Sequence, residues 1–201
     1  MKSNARDAAA EPPRGAGAMG TTAETILDTS FDSRSGFDDV RHALSGQLER
    51  ELDSLLLSRS SLDRLLNALL VRAPQRRTAL GLVGVEFDEW KSSSAELAPA
   101  DARVAFSELA RELRRKVRSS DELGRLGESS VALVLPGCEA HVLGNVAERL
   151  RLALDGKLVG PVGKQLRITV TVAIVPAYPR AGGPSAGALL TELCDALERR
   201  C

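Results

Sequence analysis

Between Ala102 and Gly137 the chain changes its apolar period once, and that change limits the folds open to it. Ala102, Ala105, Phe106, Leu109, Ala110, Leu113 and Val117 recur at three- and four-residue spacing and mark one face of a helix. After a polar stretch, SVALVLPG is an apolar strand stopped by Pro136-Gly137. The same two periods recur elsewhere. TALGLVGVEF is a nearly continuous apolar strand, and RITVTVAIV alternates strictly, so that Ile168, Val170, Val172 and Ile174 face inward from a half-exposed strand. Leu62, Leu65, Leu66, Leu69 and Leu70 predict a helix ending before Pro74, Val142 to Leu154 another, and Ala188 to Arg200 a closing one. Helices and strands mix without internal repeats, so the class is α/β or α+β, in one pair of layers.

The N-terminal part is organised differently. Residues 1–36 are rich in Ala, Gly, Pro, Ser and charge and read as a disordered tail without an apolar leader segment. Residues 37–57 predict a helix, with Val40, Leu44, Leu48, Leu52, Leu55 and Leu56 on one stripe, fit either to pair two copies or a partner protein, or to fold back on its own domain. Residues 58–201 form the folded domain.

Lys+Arg and Asp+Glu both total 27, so the basic excess of a nucleic-acid binder is missing. Cys138, Cys194 and Cys201 lack paired or metal-like spacing and read as reduced thiols, which points to the cytoplasm. No apolar stretch approaches the ~20 residues that cross a bilayer, so membrane insertion is not expected.

The segment ELRRKVRSSDELGRLGESSVALVLPG resembles the central signature of GGDEF (diguanylate cyclase) domains, in which a helix is followed by R-x-x-D, then R-x-G-G-D/E-E-F, then a strand ending in Pro. Arg118, Asp121, Arg125, Gly127 and Pro136 fall in step. GVEFDEWK is similar to the family's D-x-D-x-F-K strand end, through Glu86, Asp88, Trp90 and Lys91, and AERLR, TVTVAIV and CDALERR continue the order. The resemblance runs from about Glu51 to the C-terminus and implies a palm-like antiparallel central sheet flanked by helices. The family's D-x-L-T signature is degraded: either Glu51 and Ser54 stand for its Asp and Thr, or Asp53 and Leu55 for its Asp and Leu.

The resemblance also implies which chemistry is lost. Joining two GTP molecules requires carboxylates that hold divalent cations against the triphosphate. Glu86 stands at the first such position, but the second is Ser129, and a neutral hydroxyl cannot balance a cation's charge. Glu128 replaces the second glycine of the motif. Ser94 and Arg103 stand where the family has an Asn and an Asp against guanine, and Cys201 where it has a phosphate-binding Lys. The expectation is a degenerate domain without catalytic residues, bound metal or cofactor; residual action on GTP is the least favoured reading.

What the resemblance retains is the family's inhibitory site for cyclic di-GMP. Arg118 and Asp121 match its R-x-x-D turn, and Arg149 matches the Arg of the following helix. A guanidinium can pair with the O6/N7 edge of guanine or grip a phosphate, and a carboxylate can accept from guanine N1 and N2. The same residues also suit an ordinary surface turn and a solvated helix position. The sequence thus points to an inactive cyclic di-GMP receptor that signals to a protein partner, with a nucleotide-independent interaction module as the alternative.

Overall fold

The computed structural model describes residues 37–51, 53–76, 79–88, 90–178 and 182–200. The expected tail at 1–36, Leu52 and Cys201 lie outside the described residues.

Four strands form one antiparallel sheet. They are β1 (Leu80–Phe87), β2 (Glu122–Arg125), β3 (Ser130–Pro136) and β6 (Val170–Ala177), in the order β2-β3-β1-β6. β4 (Leu158–Val159) and β5 (Leu166–Arg167) pair as a small separate hairpin. The helices are α1 (residues 37–44), α2 (Arg59–Arg76), α3 (Trp90–Ala95), α4 (Pro99–Lys116), α5 (Ala140–Leu154) and α6 (Ala186–Glu198).

The apolar continuity of β1 has a direct cause: both faces of the sheet are covered. Val83, Val85 and Phe87 pack with Phe106, Leu109 and Leu113 of α4 and with Leu143 and Leu150 of α5. Leu80 and Leu82 point the other way, into Leu62, Leu65 and Leu66 of α2 and Leu189, Leu190 and Leu193 of α6. The fold is therefore three layers, helix–sheet–helix, and not the single pair of layers expected from the pattern. Gly84 makes the second layer possible, because a Cβ there would stand 2.9 Å from Leu197 Cδ1 and 3.0 Å from Leu193 Cγ. β6 is correspondingly not half-exposed: Ile168, Val170 and Val172 are buried as expected, but so are Ala173 and Val175 on the opposite face.

Two helix ends also differ from expectation. α2 continues through Pro74 to Arg76, a short extension that forgoes the hydrogen bond proline cannot donate. The single helix expected over 37–57 ends at residue 44. Ser45 and Gly46 interrupt it, with Ser45 Oγ hydrogen-bonded to the His42 carbonyl at 2.8 Å. Beyond it the chain folds back on its own domain. Phe37 and Val40 are buried against the α2/α6 layer, and Leu57 joins the sheet edge, donating to Leu123 O at 2.9 Å and accepting from Arg125 N at 2.8 Å.

The fold-back has a strained residue. Leu55 takes φ = +59° while 63% exposed, so its side chain returns little burial for a left-handed backbone. Leu55→Gly is expected to raise stability by about 0.5–1 kcal/mol, the relief of left-handed strain less glycine's entropy in the unfolded chain. A chemical-denaturation midpoint at or below that of the parent chain would refute this.

Candidate functional site

The C-terminal end of α4 builds a rigid, positively charged rim. The helix stops at Lys116, Val117 is extended, and Arg118–Asp121 closes as a turn. Asp121 N donates to Arg118 O at 3.1 Å, and Arg118 N donates to Asp121 Oδ2 at 2.8 Å. From the preceding helical turn, Arg114 donates Nη1 to Asp121 O at 2.5 Å and Nη2 to Arg118 O. One guanidinium thus clamps both ends of the turn. Arg149 approaches from α5 and donates to Lys116 O at 3.4 Å.

The three residues expected to bind ligand are therefore brought together, with unequal access. Arg118 and Arg149 are exposed. Asp121 is only 5% exposed, and its oxygens face Arg118 N and, at 3.5 Å, Ser120 Oγ. Burial pushes its carboxyl above the ordinary carboxylate range, against the opposing hydrogen bond from Arg118 and the nearby charges of Arg118 and Arg114. Asp121 anchors the turn that presents Arg118. Cys138 lies close enough to feel both residues, and burial pushes its thiol up.

A second concavity, of about 770 Å³, lies at the end of β1 and includes Glu86, Asp88, Lys91, Ser129 and Arg200. Phe87 N donates to Ser129 O at 2.9 Å, which seats the β2–β3 turn on the strand end, and Ser129 Oγ donates to Glu86 Oε1. The carboxylate at the first expected cation position is thus engaged by the hydroxyl that occupies the second. Asp88 leaves Oδ1 buried without a hydrogen-bond partner among the described residues. The concavity thus holds two carboxylates, Glu86 and Asp88, with the neutral Ser129 hydroxyl at the second expected cation position.

One of the two registers of the degraded D-x-L-T signature brings its residues into contact. Glu51 receives Arg125 Nε at 2.9 Å and Nη2 at 3.0 Å, and Ser54 Oγ donates to Glu51 Oε2 at 2.7 Å. Glu51 and Ser54 therefore stand together. Burial raises the Glu51 carboxyl, but the hydrogen bonds from Arg125 and Ser54 outweigh it and leave the group below its ordinary value. The Arg125 guanidinium also stacks 3.6 Å from the Phe106 ring centre. Arg103, Glu51, Phe106 and Arg125 border a concavity of about 370 Å³.

Sequence reasoning missed Arg41, Arg50 and Arg114. Arg114 sits in a run of basic residues with no spacing that singles it out. Arg41 and Arg50 meet the rim only because the chain folds back. The one available signal was Glu122: an acid inside an apolar strand pairing must find cations somewhere.

An antiparallel sheet between helix pairs, with a strand-end acid facing a hairpin turn, is the palm-like architecture that the family resemblance implied. The chain belongs to the GGDEF family: the family model described as diguanylate cyclase, GGDEF domain, matches residues 52–199. It is similar to diguanylate cyclase A of Treponema denticola, 21% identical over 100 residues covering 50% of this chain and 27% of that protein. The chain spans about a quarter of the length of the curated relatives it matches. Among solved structures, it resembles a sensory box/GGDEF family protein from Caulobacter crescentus, with a TM-score of 0.66, 25% identity, and coverage of 76% of this chain and 97% of that one. It also resembles the GGDEF domain of DgcB from the same organism, solved in complex with c-di-GMP, with a TM-score of 0.65, 18% identity, and coverage of 75% and 88%.

The anchoring role of Asp121 gives a sign-specific expectation. A carboxyl whose folded pKa is raised contributes stability below its unfolded value and loses it as pH rises through the folded one. Asp121→Asn keeps an acceptor for Arg118 N and removes the buried charge. It should match or exceed the parent's stability at pH 7, with the advantage shrinking as acidification protonates the Asp121 carboxyl. Asp121→Ala, which removes the acceptor, should lose about 1–3 kcal/mol. Urea midpoints across pH check both; a large loss in Asp121→Asn at pH 7 would refute the assignment.

Proposed function

We propose that this GGDEF-family chain is a receptor for cyclic di-GMP and not a producer of it. The observation that carries the reading is the rim: Arg118 and Arg149 are exposed, Arg118 sits on a turn held by Asp121 and Arg114, and Arg149 reaches Lys116 O beside that turn from α5. Two pre-positioned guanidinium groups suit guanine edges and phosphate oxygens, and little ordering entropy is lost when the turn is already fixed. Asp121 contributes to the site by setting the conformation of Arg118. The complex of DgcB with c-di-GMP supports the reading by analogy of fold.

The synthetic reaction is absent on this proposal. Glu86 is bonded to a neutral Ser129, Arg103 replaces an acceptor expected against the guanine N–H groups, and Glu128 adds negative charge near where triphosphate would lie. Product is therefore expected to be undetectable by chromatography after incubation with GTP and magnesium or manganese. Accumulation of cyclic di-GMP would overturn this half of the proposal.

The ligand signal passes to a protein partner in the cytoplasm. A GGDEF enzyme, SiaD of Pseudomonas aeruginosa, is known in complex with its activator SiaC, which makes a protein partner reasonable here. No helix among the described residues is long and apolar enough to cross a membrane. The apolar face of α1, suited by sequence to pairing, is already packed on its own domain through Phe37 and Val40. Any self-association would use another surface.

Calorimetry with cyclic di-GMP tests the receptor. Micromolar binding is expected, with Arg118→Ala and Arg149→Ala each weakening it at least about tenfold, the value of one charge-assisted hydrogen bond. Absence of heat at high ligand concentration would leave the nucleotide-independent interaction module as the better account.

A further inference from the structure

On the side of α4 facing the fold-back, a cavity of about 530 Å³ gathers five arginines, Arg41, Arg50, Arg111, Arg114 and Arg115, against one carboxylate, Glu122. The whole chain carries 27 basic and 27 acidic residues. Such an imbalance in one concavity is a local concentration of charge that general composition does not explain. Helical spacing places Arg111 and Arg115, and Ala110 and Arg114, as neighbours on one face of α4, while Arg41 and Arg50 enter from the opposite wall. Between the walls lie Leu55, Leu56 and Ala110, an apolar floor.

Four of these cations have partners within the fold, Arg115 among them through an ion pair with Glu112 on its own helix. Arg50 Nη2 pairs with Glu122 at 2.8 Å, Arg41 Nη1 reaches the same carboxylate at 3.5 Å and Ser119 O at 3.1 Å, and Arg114 clamps the turn. Basic residues in a helix's last turn also answer its dipole, which accounts for Arg114 and Arg115 in part. Neither duty covers Arg111, which lies earlier in the helix, is exposed, and has no ion pair among the described residues. Burial, with added repulsion from Arg50 and Arg41, holds the Arg114 guanidinium below its ordinary pKa, although Glu122 and Asp121 oppose this. The cavity thus carries more positive charge than its own acid balances.

We propose that this cavity is a second ligand site, distinct from the Arg118/Arg149 rim, for a small molecule bearing a di- or polyphosphate on an organic body. Arg111 and Arg115 grip the phosphate oxygens, and Leu55, Leu56 and Ala110 receive the body. The volume falls within the range of small-molecule sites, and a multiply charged anion meets a converging set of forks better than a monoanion does. The site borders the rim's turn through Ser119, yet it does not depend on cyclic di-GMP binding there.

The test uses pyrophosphate and ADP as separate ligands in calorimetry, at low and at physiological salt. Both are expected to bind, ADP more tightly through the apolar floor, and both more weakly as salt rises. The variant carrying Arg111→Ala and Arg115→Ala should bind each at least about tenfold more weakly. Its thermal midpoint should stay within about 2 °C of the parent's, because both side chains are exposed and Glu112 keeps Lys157 at 2.6 Å. Arg118→Ala should bind pyrophosphate and ADP as the parent does, and the double variant should bind cyclic di-GMP as the parent does, so failure at one site is read separately from failure at the other. Absence of heat with both ligands would overturn the proposal. So would pyrophosphate affinity that falls with Arg118→Ala and survives the double substitution.

Discussion

A carboxylate buried to 2% exposure at the start of the sheet's edge strand governs how this end of the molecule is assembled. Glu122 needs cations beside it, since leaving a buried ion unpaired costs several kcal/mol. Arg50 and Arg41 supply them, and both belong to the segment before the domain. That requirement explains why the chain between residues 45 and 57 leaves helical geometry and folds back. It also explains why the backbone tolerates Leu55 at φ = +59° on the way. Leu57 then completes the edge by bonding to Leu123 and Arg125.

The same edge positions the rim. Glu122 follows Asp121 directly, so the residue that draws in the N-terminal segment is covalently next to the residue that closes the Arg118 turn. Arg41 touches Glu122 and the turn's Ser119 O, while Arg114 holds the turn from the helix side. The turn is consequently fixed from three directions before any ligand arrives. A further ion pair, Glu51 with Arg125, ties the fold-back to the other end of β2, and Phe106 caps it from the core. Each end of this four-residue strand is therefore bonded to the preceding segment by an acid–arginine contact.

Legibility in the sequence followed interaction range. α4, β1, β3 and α5 were readable because their apolar periods are local and strong, and the family's spaced residues placed Arg118, Asp121 and Arg149 at one rim. β2 was not readable: four residues with an acid at one end and an arginine at the other make a strand only through pairing with β3 and Leu57. The stripe from Val40 to Leu56 suggested one helix because leucines at helical spacing look alike whether the chain continues or reverses. Ser45 and Gly46 break it locally, and the pairing of Arg41 and Arg50 with Glu122 holds the reversal through long-range contacts invisible to periodicity. The second helical layer was hidden for a related reason, since an apolar run in β1 announces burial without saying on how many sides.

The two sites differ in what made them. At the end of β1, the neutral Ser129 hydroxyl donates to the Glu86 carboxylate, and the proposed loss of the synthetic reaction rests on that contact. At the end of α4, charge and geometry agree. Asp121 fixes the backbone of Arg118, and Arg41, Arg114 and Arg149 hold backbone carbonyls around the same turn. Function should be sought where both conditions are met, which in this chain is the rim and the arginine-lined cavity beside it.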